Sequence, residues 1–165
     1  MNKYKLSNNL VSFNHHNSFK KIPQFLDNLR SGKSFALVSD AGMPGICDPG
    51  EELVKSTRDE GYDVICIPGP CAAITALVGS GLPSSRFTFE GFLPKKRKDR
   101  DKRIHEISKS TATTIIYESP HRLKKLLTEL KINCGGSREL EVARELTKRF
   151  EEHIEKELNS LNYSS

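Results

Sequence analysis

No stretch of this sequence approaches the roughly 18 to 20 consecutive apolar residues that a membrane-spanning helix requires. Met1–Leu10 is polar and lacks the apolar centre of a signal peptide, so a soluble cytoplasmic protein is expected. Cysteine is scarce: Cys47, Cys66, Cys71 and Cys134 form no CxxC pair and no finger-like spacing. They read as small hydrophobes, not as metal ligands or disulfide partners. His15 and His16 lack a third ligand and read as exposed loop residues, so no metal is expected. Also missing are a G-x-G-x-x-G fingerprint, a phosphate loop ending in Gly-Lys-Ser/Thr and a G-x-S-x-G elbow. Their absence disfavours classical dinucleotide and ATP sites and a serine nucleophile.

What is present begins with charge. Charged residues make up 28% of the 165 positions against 36% apolar ones, a balance that fits much exposed surface and one medium domain or two small ones. The net charge of +5 and a pI near 9.0 admit a polyanionic partner. The excess is concentrated in Lys95, Lys96, Arg97, Lys98, Arg100, Lys102 and Arg103. On composition alone that run is a solvated face.

Ile22, Phe25, Leu26 and Leu29 recur at helical spacing between Ser18 and Arg30, with Asn17 or Ser18 as N-cap, Gly32 as stop and Pro23 delaying or kinking the helix. Phe35–Val38 then reads as a buried parallel strand feeding the Gly/Pro-rich stretch Ser39–Gly50. A helix should follow, with Asp48 as cap, Pro49 first, Glu51 completing a capping box and Gly61 ending it. Val64–Ile67, Pro68–Pro70 and the small-residue helix Cys71–Ser80 repeat the plan. Alternation of this kind implies an α/β fold with parallel strands, and it sets both loops at the carboxyl edge where ligands bind. Leu82–Ser85 is a turn-rich break, so two lobes are expected, 1–83 and 84–165. The second lobe reads as mixed α/β: strands at Phe87–Phe89, Thr113–Tyr117 and Leu140–Ala143, a helix opening near Lys95, and another starting at Ser119-Pro120 with Leu123, Leu126, Leu127 and Leu130 on its buried face. Lys148–Leu158 fits either a strand, loop and helix or one charged helix.

Two stretches carry chemistry by their composition. SDAGMPGICDPG (Ser39–Gly50) lets a ligand approach its backbone, and Asp40 can accept hydrogen bonds from a ribose or an amino group. In PGPCAAITAL, the small side chains of Cys71, Ala72 and Ala73 leave room for a flat ring against the first helical turn. Each also has a plain structural reading, as a rigid connector and as close helix packing. Farther on, Tyr117-Glu118-Ser119-Pro120-His121-Arg122 collects an aromatic, a carboxylate, an imidazole and a guanidinium at a strand end, an edge suited to substrate handling. Ser119 reads as an N-cap. Arg144, Glu145 and Lys148 form a second polar group that could equally be surface ion pairs.

These loops, together with GLPSSRFTFEGFLP, IYESPHRL and ARELTK, resemble in order the tetrapyrrole-methylase superfamily. Within it they are most similar to the bacterial methyltransferases of the 2′-oxygen of a cytidine ribose in 16S ribosomal RNA. The resemblance covers roughly Ser34 to Lys148 and implies two α/β lobes, both incomplete here, with S-adenosylmethionine between them. On that basis Asp40, Ala41, Gly42, Pro44, Cys71, Ala72 and Ala73 would line the cofactor site from the first lobe, and Tyr117 and Leu146 from the second. Glu118, His121 and Lys148 become candidates for a base or an orienting group. Lys95, Lys96, Arg97, Lys98, Arg122 and Arg144 become contacts to RNA phosphates. The partner would be 16S ribosomal RNA or the small subunit, and a homodimer is compatible with the family. Met43 stands where threonine is usual. The family's opening strand with its Gly-Thr-Pro-Ile-Gly-Asn-Leu loop and its closing strand near a Gly-Glu pair have no counterpart here, so the chain reads as shortened at both ends. Rival readings are a methyltransferase of a tetrapyrrole or other small molecule on the same fold, and a non-catalytic or RNA-binding remnant.

Overall fold

A computed structural model describes residues 9–160, and most of the polar segment Met1–Leu10 lies outside them. The chain divides into two compact units, with the border between Gly69 and Pro70.

The first unit contains α1 (Ser18–Arg30) and α2 (Glu51–Asp59). Helix α1 runs through Pro23 without interruption of its span and buries Leu26. The two helices are joined through polar groups as well as apolar ones. Ser18 Oγ donates to Glu52 at 3.3 Å, and the Arg30 guanidinium grips Glu60 through Nε at 3.2 Å and Nη2 at 2.6 Å. Phe25 stacks between Phe13 and Phe35, with centroids 5.9 and 5.1 Å away. The expected Asp48 cap is replaced: Gly50 is the N-cap of α2, and no side chain caps it. A Cβ at Gly50 would lie 2.8 Å from Leu37 Cδ2, so the close approach of that leucine, and not a capping box, decides the helix start. Gly61, with φ at 82°, terminates α2 as expected.

Phe35–Val38 and Val64–Ile67, expected as parallel strands, enter no β-ladder among the described residues. Their apolar side chains are partly open, Ile65 81% and Ile67 74% exposed. A β-rich run becomes a strand only when a neighbour supplies the ladder, and these two find none.

The second unit contains α3 (Ala72–Gly79), β1 (Phe87–Phe92), α4 (Arg97–Lys109), β2 (Thr113–Tyr117), α5 (Pro120–Cys134), β3 (Glu139–Arg144) and β4 (Glu152–Glu157), closed by a 3₁₀ turn at Leu158–Ser160. Strands β1 and β2 pair in parallel, Phe87 opposite Thr113 and Phe92 opposite Tyr117, with a bulge between Phe89 and Gly91. The crossover α4 is what a parallel pair requires. Strands β3 and β4 form an antiparallel hairpin, Arg144 opposite Glu152, which resolves the ambiguous Lys148–Leu158 stretch as loop and strand. Pro120 occupies the first turn of α5, where its missing N–H is harmless. The core joins Leu93, Ile104, Ile107, Leu126, Leu130 and Leu158. The turn read as a lobe border, Leu82–Ser85, lies inside this unit, tied by a 2.6 Å hydrogen bond from Thr113 Oγ1 to the Pro83 carbonyl. Residues of β2 and β3 face one another across a cavity of about 260 Å³ that Leu82 and Pro83 also line. No ladder joins those strands among the described residues.

Candidate active site

Ser39–Gly50 is a loop of successive tight turns. Ser39 Oγ donates to the Ala41 carbonyl at 3.0 Å and accepts the Ala41 N–H at 3.4 Å. Gly42, Gly45 and even Cys47 adopt positive φ. The path leaves Asp40, Ala41 and Gly42 exposed and half-buries Met43 and Pro44. Behind it lies a cavity of about 590 Å³ with apolar walls from Leu37, Met43, Pro44 and Val54 and a charged rim from Glu51, Lys55, Arg58 and Asp59. That volume lies within the roughly 300–1,000 Å³ of ordinary ligand pockets. Its wall is apolar and its rim carries charges of both signs. Of the four residues expected on this loop, Pro44 lines the cavity; Asp40, Ala41 and Gly42 do not.

In the second unit Cys71 is the N-cap of α3, its carbonyl accepting from both the backbone and the hydroxyl of Thr75. Ala72 is exposed, whereas Ala73 is buried in the packing of the unit. The close-packing reading therefore applies to Ala73 and leaves Ala72 as the open position.

At the end of β2, Tyr117 meets Phe89 and Phe92 edge-on at 5.2 and 5.7 Å. Glu118 next to it is buried, its side chain 3% exposed. It accepts from Arg122 Nε at 2.7 Å, from the Ser119 N–H at 2.8 Å and from Arg100 Nη1 at 3.5 Å. Arg100 is buried too and holds Glu129 at 2.8 Å. A carboxylate so engaged is an anchor for the strand end, with little left to take a proton from a substrate. His121, in the first turn of α5, is exposed. Ser119 stands at the N-cap position, but its hydroxyl makes no capping bond.

ARELTK forms the tip of the β3–β4 hairpin. Arg144 pairs with Glu152 across the ladder, Leu146 is half-buried, and Lys148 pairs with Glu145 at 3.4 Å. Lys95, Lys96, Arg97 and Lys98 are all exposed around the N-terminus of α4. The macrodipole makes this the unfavourable end for cations, so an external anion is the natural complement of the cluster. Arg100 and Arg103 of the same run turn elsewhere, Arg103 to Glu90 at 3.0 Å. The sequence reading missed the Arg100–Glu118–Glu129 network. A signal for it exists, because Arg100, Ile104 and Ile107 share one helical stripe.

The model of the tetrapyrrole (corrin/porphyrin) methylases matches residues 6–162. The chain belongs to the tetrapyrrole methylases. Among its relatives in that family, the ribosomal RNA small subunit methyltransferase I of Vibrio cholerae is 50% identical over 148 residues, 90% of this chain and 51% of that protein. The protein of the same name from Bacillus subtilis is 44% identical over 151 residues, 92% of this chain and 51% of its own length. This tetrapyrrole methylase chain thus spans about half the length of the curated relatives it matches. The crystal structure of the methyltransferase CobJ superposes on 94% of this chain and 67% of its own, with a TM-score of 0.68 at 20% identity. That likeness shows a shared mixed α/β fold with parallel strand pairing. No helix of the described residues is long and apolar enough to cross a membrane.

Proposed function

We propose that this chain acts in the S-adenosylmethionine-dependent methylation of the 2′-oxygen of a cytidine ribose in 16S ribosomal RNA, on the small ribosomal subunit in the cytoplasm. The observation that favours RNA over a tetrapyrrole is the exposed cluster Lys95–Lys98, which a small-molecule site does not need. The names of the relatives, about half of whose length this chain spans, point the same way. When bound, S-adenosylmethionine supplies the methyl group from its sulfonium.

The chain's own residues bind, orient and exclude water. In the first unit the Asp40–Pro44 loop offers the cofactor its open backbone and the Pro44 wall, and in the second unit Cys71, Ala72, Tyr117 and Leu146 are the candidate contacts, with buried Ala73 shaping the packing beneath them. Lys95, Lys96, Arg97, Lys98 and Arg144 meet phosphates, and Arg122 does so only with the part of its guanidinium not held by Glu118. For removal of the hydroxyl proton, His121 and Lys148 are the accessible candidates, and Glu118 orients the β2 end beside which His121 stands. Lobes at 1–83 and 84–165 and assembly as a homodimer belong to the same reading. Cleavage at the Leu82–Ser85 turn during limited proteolysis supports that border, and cleavage at Gly69 instead overturns it.

The test supplies labelled S-adenosylmethionine together with small-subunit particles and, separately, free corrins and porphyrins. Label in the ribose fraction of 16S RNA is expected. Label in the tetrapyrrole alone overturns the proposal in favour of the small-molecule reading.

A further inference from the structure

The β3–β4 hairpin carries a three-residue cluster outside the motifs discussed so far. His153 lies opposite Ala143 in the register and reaches diagonally to Glu141, with Nδ1 2.6 Å from Glu141 Oε1. Its other nitrogen, Nε2, is 3.1 Å from Glu151 Oε1. The second oxygen of Glu151 accepts the Thr147 N–H at 2.5 Å. Thr147 and Glu145 are both non-glycine residues at positive φ, 64° and 51°, a conformation such residues hold only when surrounding bonds over-determine it. The ring itself is seated on α3, where a Cβ at Gly79 would come within 3.1 Å of His153 Cε1.

We propose that His153 is a positioning residue: bridged between Glu141 and Glu151, it latches the Glu145–Glu151 loop in its strained shape and so fixes Leu146 and Lys148. The consequence for the cofactor rests on the function proposed above; the latch itself does not.

The surrounding charge makes this latch sensitive to pH. Glu141 on β3 and Glu151 at the head of β4 contact the ring; Glu139, Glu155 and Glu157 share its face of the hairpin, and α3 contributes no titratable group. The Glu141 hydrogen bond, and then that to Glu151, raise the pKa of His153 above its ordinary value. The Thr147 N–H, and then His153, lower that of Glu151. A raised imidazole pKa means that its contribution is complete below the ordinary histidine value and is lost as pH rises through the shifted one. A lowered carboxyl pKa means that its contribution is complete above the ordinary value and is lost as pH falls through the shifted one. The latch is therefore tightest between the ordinary carboxyl and ordinary histidine values, in mildly acidic solution, and loosens as pH rises through the raised value of His153. Within the window between the ordinary and raised histidine values its closing constant falls as pH rises.

Hydrogen exchange at the Thr147 amide, corrected for base catalysis, reads the latch in the intact chain. Protection should decline across that window in the wild type. In His153→Gln it should be low and independent of pH, while the core amides of Ile104 and Leu126 keep theirs; Glu141→Gln should shift the decline to lower pH. The same pH dependence in His153→Gln, or a flat profile in the wild type, overturns the proposal. Calorimetric titration with S-adenosylmethionine in parallel should weaken over the same window. Absence of cofactor binding at every pH, beside a Thr147 profile that still titrates, sinks the proposed function and leaves the latch supported.

Discussion

The two units of this chain were written in one idiom, a short β-rich run, a Gly/Pro loop and a helix, yet they fold to different degrees of closure. In the second unit Phe87–Phe92 and Thr113–Tyr117 find each other and form a parallel ladder over a leucine and isoleucine core. In the first, Phe35–Val38 and Val64–Ile67 are likewise short β-rich runs, more apolar still, and enter no ladder among the described residues. Side-chain pattern fixes which residues favour burial, whereas backbone pairing depends on a neighbour that the pattern does not contain. The first unit is held instead by contacts such as Arg30 of α1 with Glu60 at the end of α2, and by the aromatic cluster in which Phe25 of α1 meets Phe13 and Phe35 of the flanking loops.

The contrast is broken most strongly at Glu118. Glu118→Gln removes one of the two carboxylates on the buried Arg100, with Glu129 still 2.8 Å away, and weakens the hold on Arg122; it should cost about 1.5 to 3 kcal/mol in urea unfolding. A loss below about 1 kcal/mol would mean that the network is no anchor. Next in size is the effect on RNA. Alanine at Lys95, Lys96, Arg97 and Lys98 together should reduce the slope of log affinity against log salt for a small-subunit RNA fragment by roughly 3, at about 0.7 per released contact. An unchanged slope would remove that cluster from the interface. Ile104→Val, in the densest part of the second unit, should cost about 1 kcal/mol, again read by urea unfolding. The smallest change is expected in the first unit, where Ile65→Thr should alter stability by no more than about 0.5 kcal/mol. A loss as large as that of Ile104→Val would show that Ile65 is covered in solution and that the two units are more alike than their ladders.

Much of the second unit was legible because its signals are local. Pro120 at a helix start, Leu126, Leu127 and Leu130 on one stripe, and the β-branched run Thr113–Ile116 each act within a few residues. The Lys148–Leu158 stretch was not legible, because its strand exists only through pairing with Glu139–Arg144. Gly50 displaced Asp48 as the cap of α2 through a contact with Leu37, thirteen positions earlier in the chain and invisible to a capping pattern. At the candidate site the loops were found by their glycines and prolines, but which side chains face a ligand was not. Ala73 turned inward, Pro44 lined the cavity, and Glu118 joined two arginines drawn from different helices. The Glu141–His153–Glu151 bridge had no sequence signal at all, since it depends on hairpin register.

Leu158 is among the most deeply buried side chains of the second unit, yet it comes after every strand and helix whose core it completes. Synthesis runs in the opposite sense to that dependence. At about 5–20 residues per second, Leu93 is made roughly 3 to 13 s before Leu158. Throughout that interval the nascent chain presents Ile104, Ile107, Leu126 and Leu130 without their last partner. The first unit's helices meet no such delay, since α1 and α2 are complete before the second unit begins. The apolar stripe shared by α4 and α5 is thus the last surface of the second unit to be covered, and its exposure ends only with the segment around Leu158.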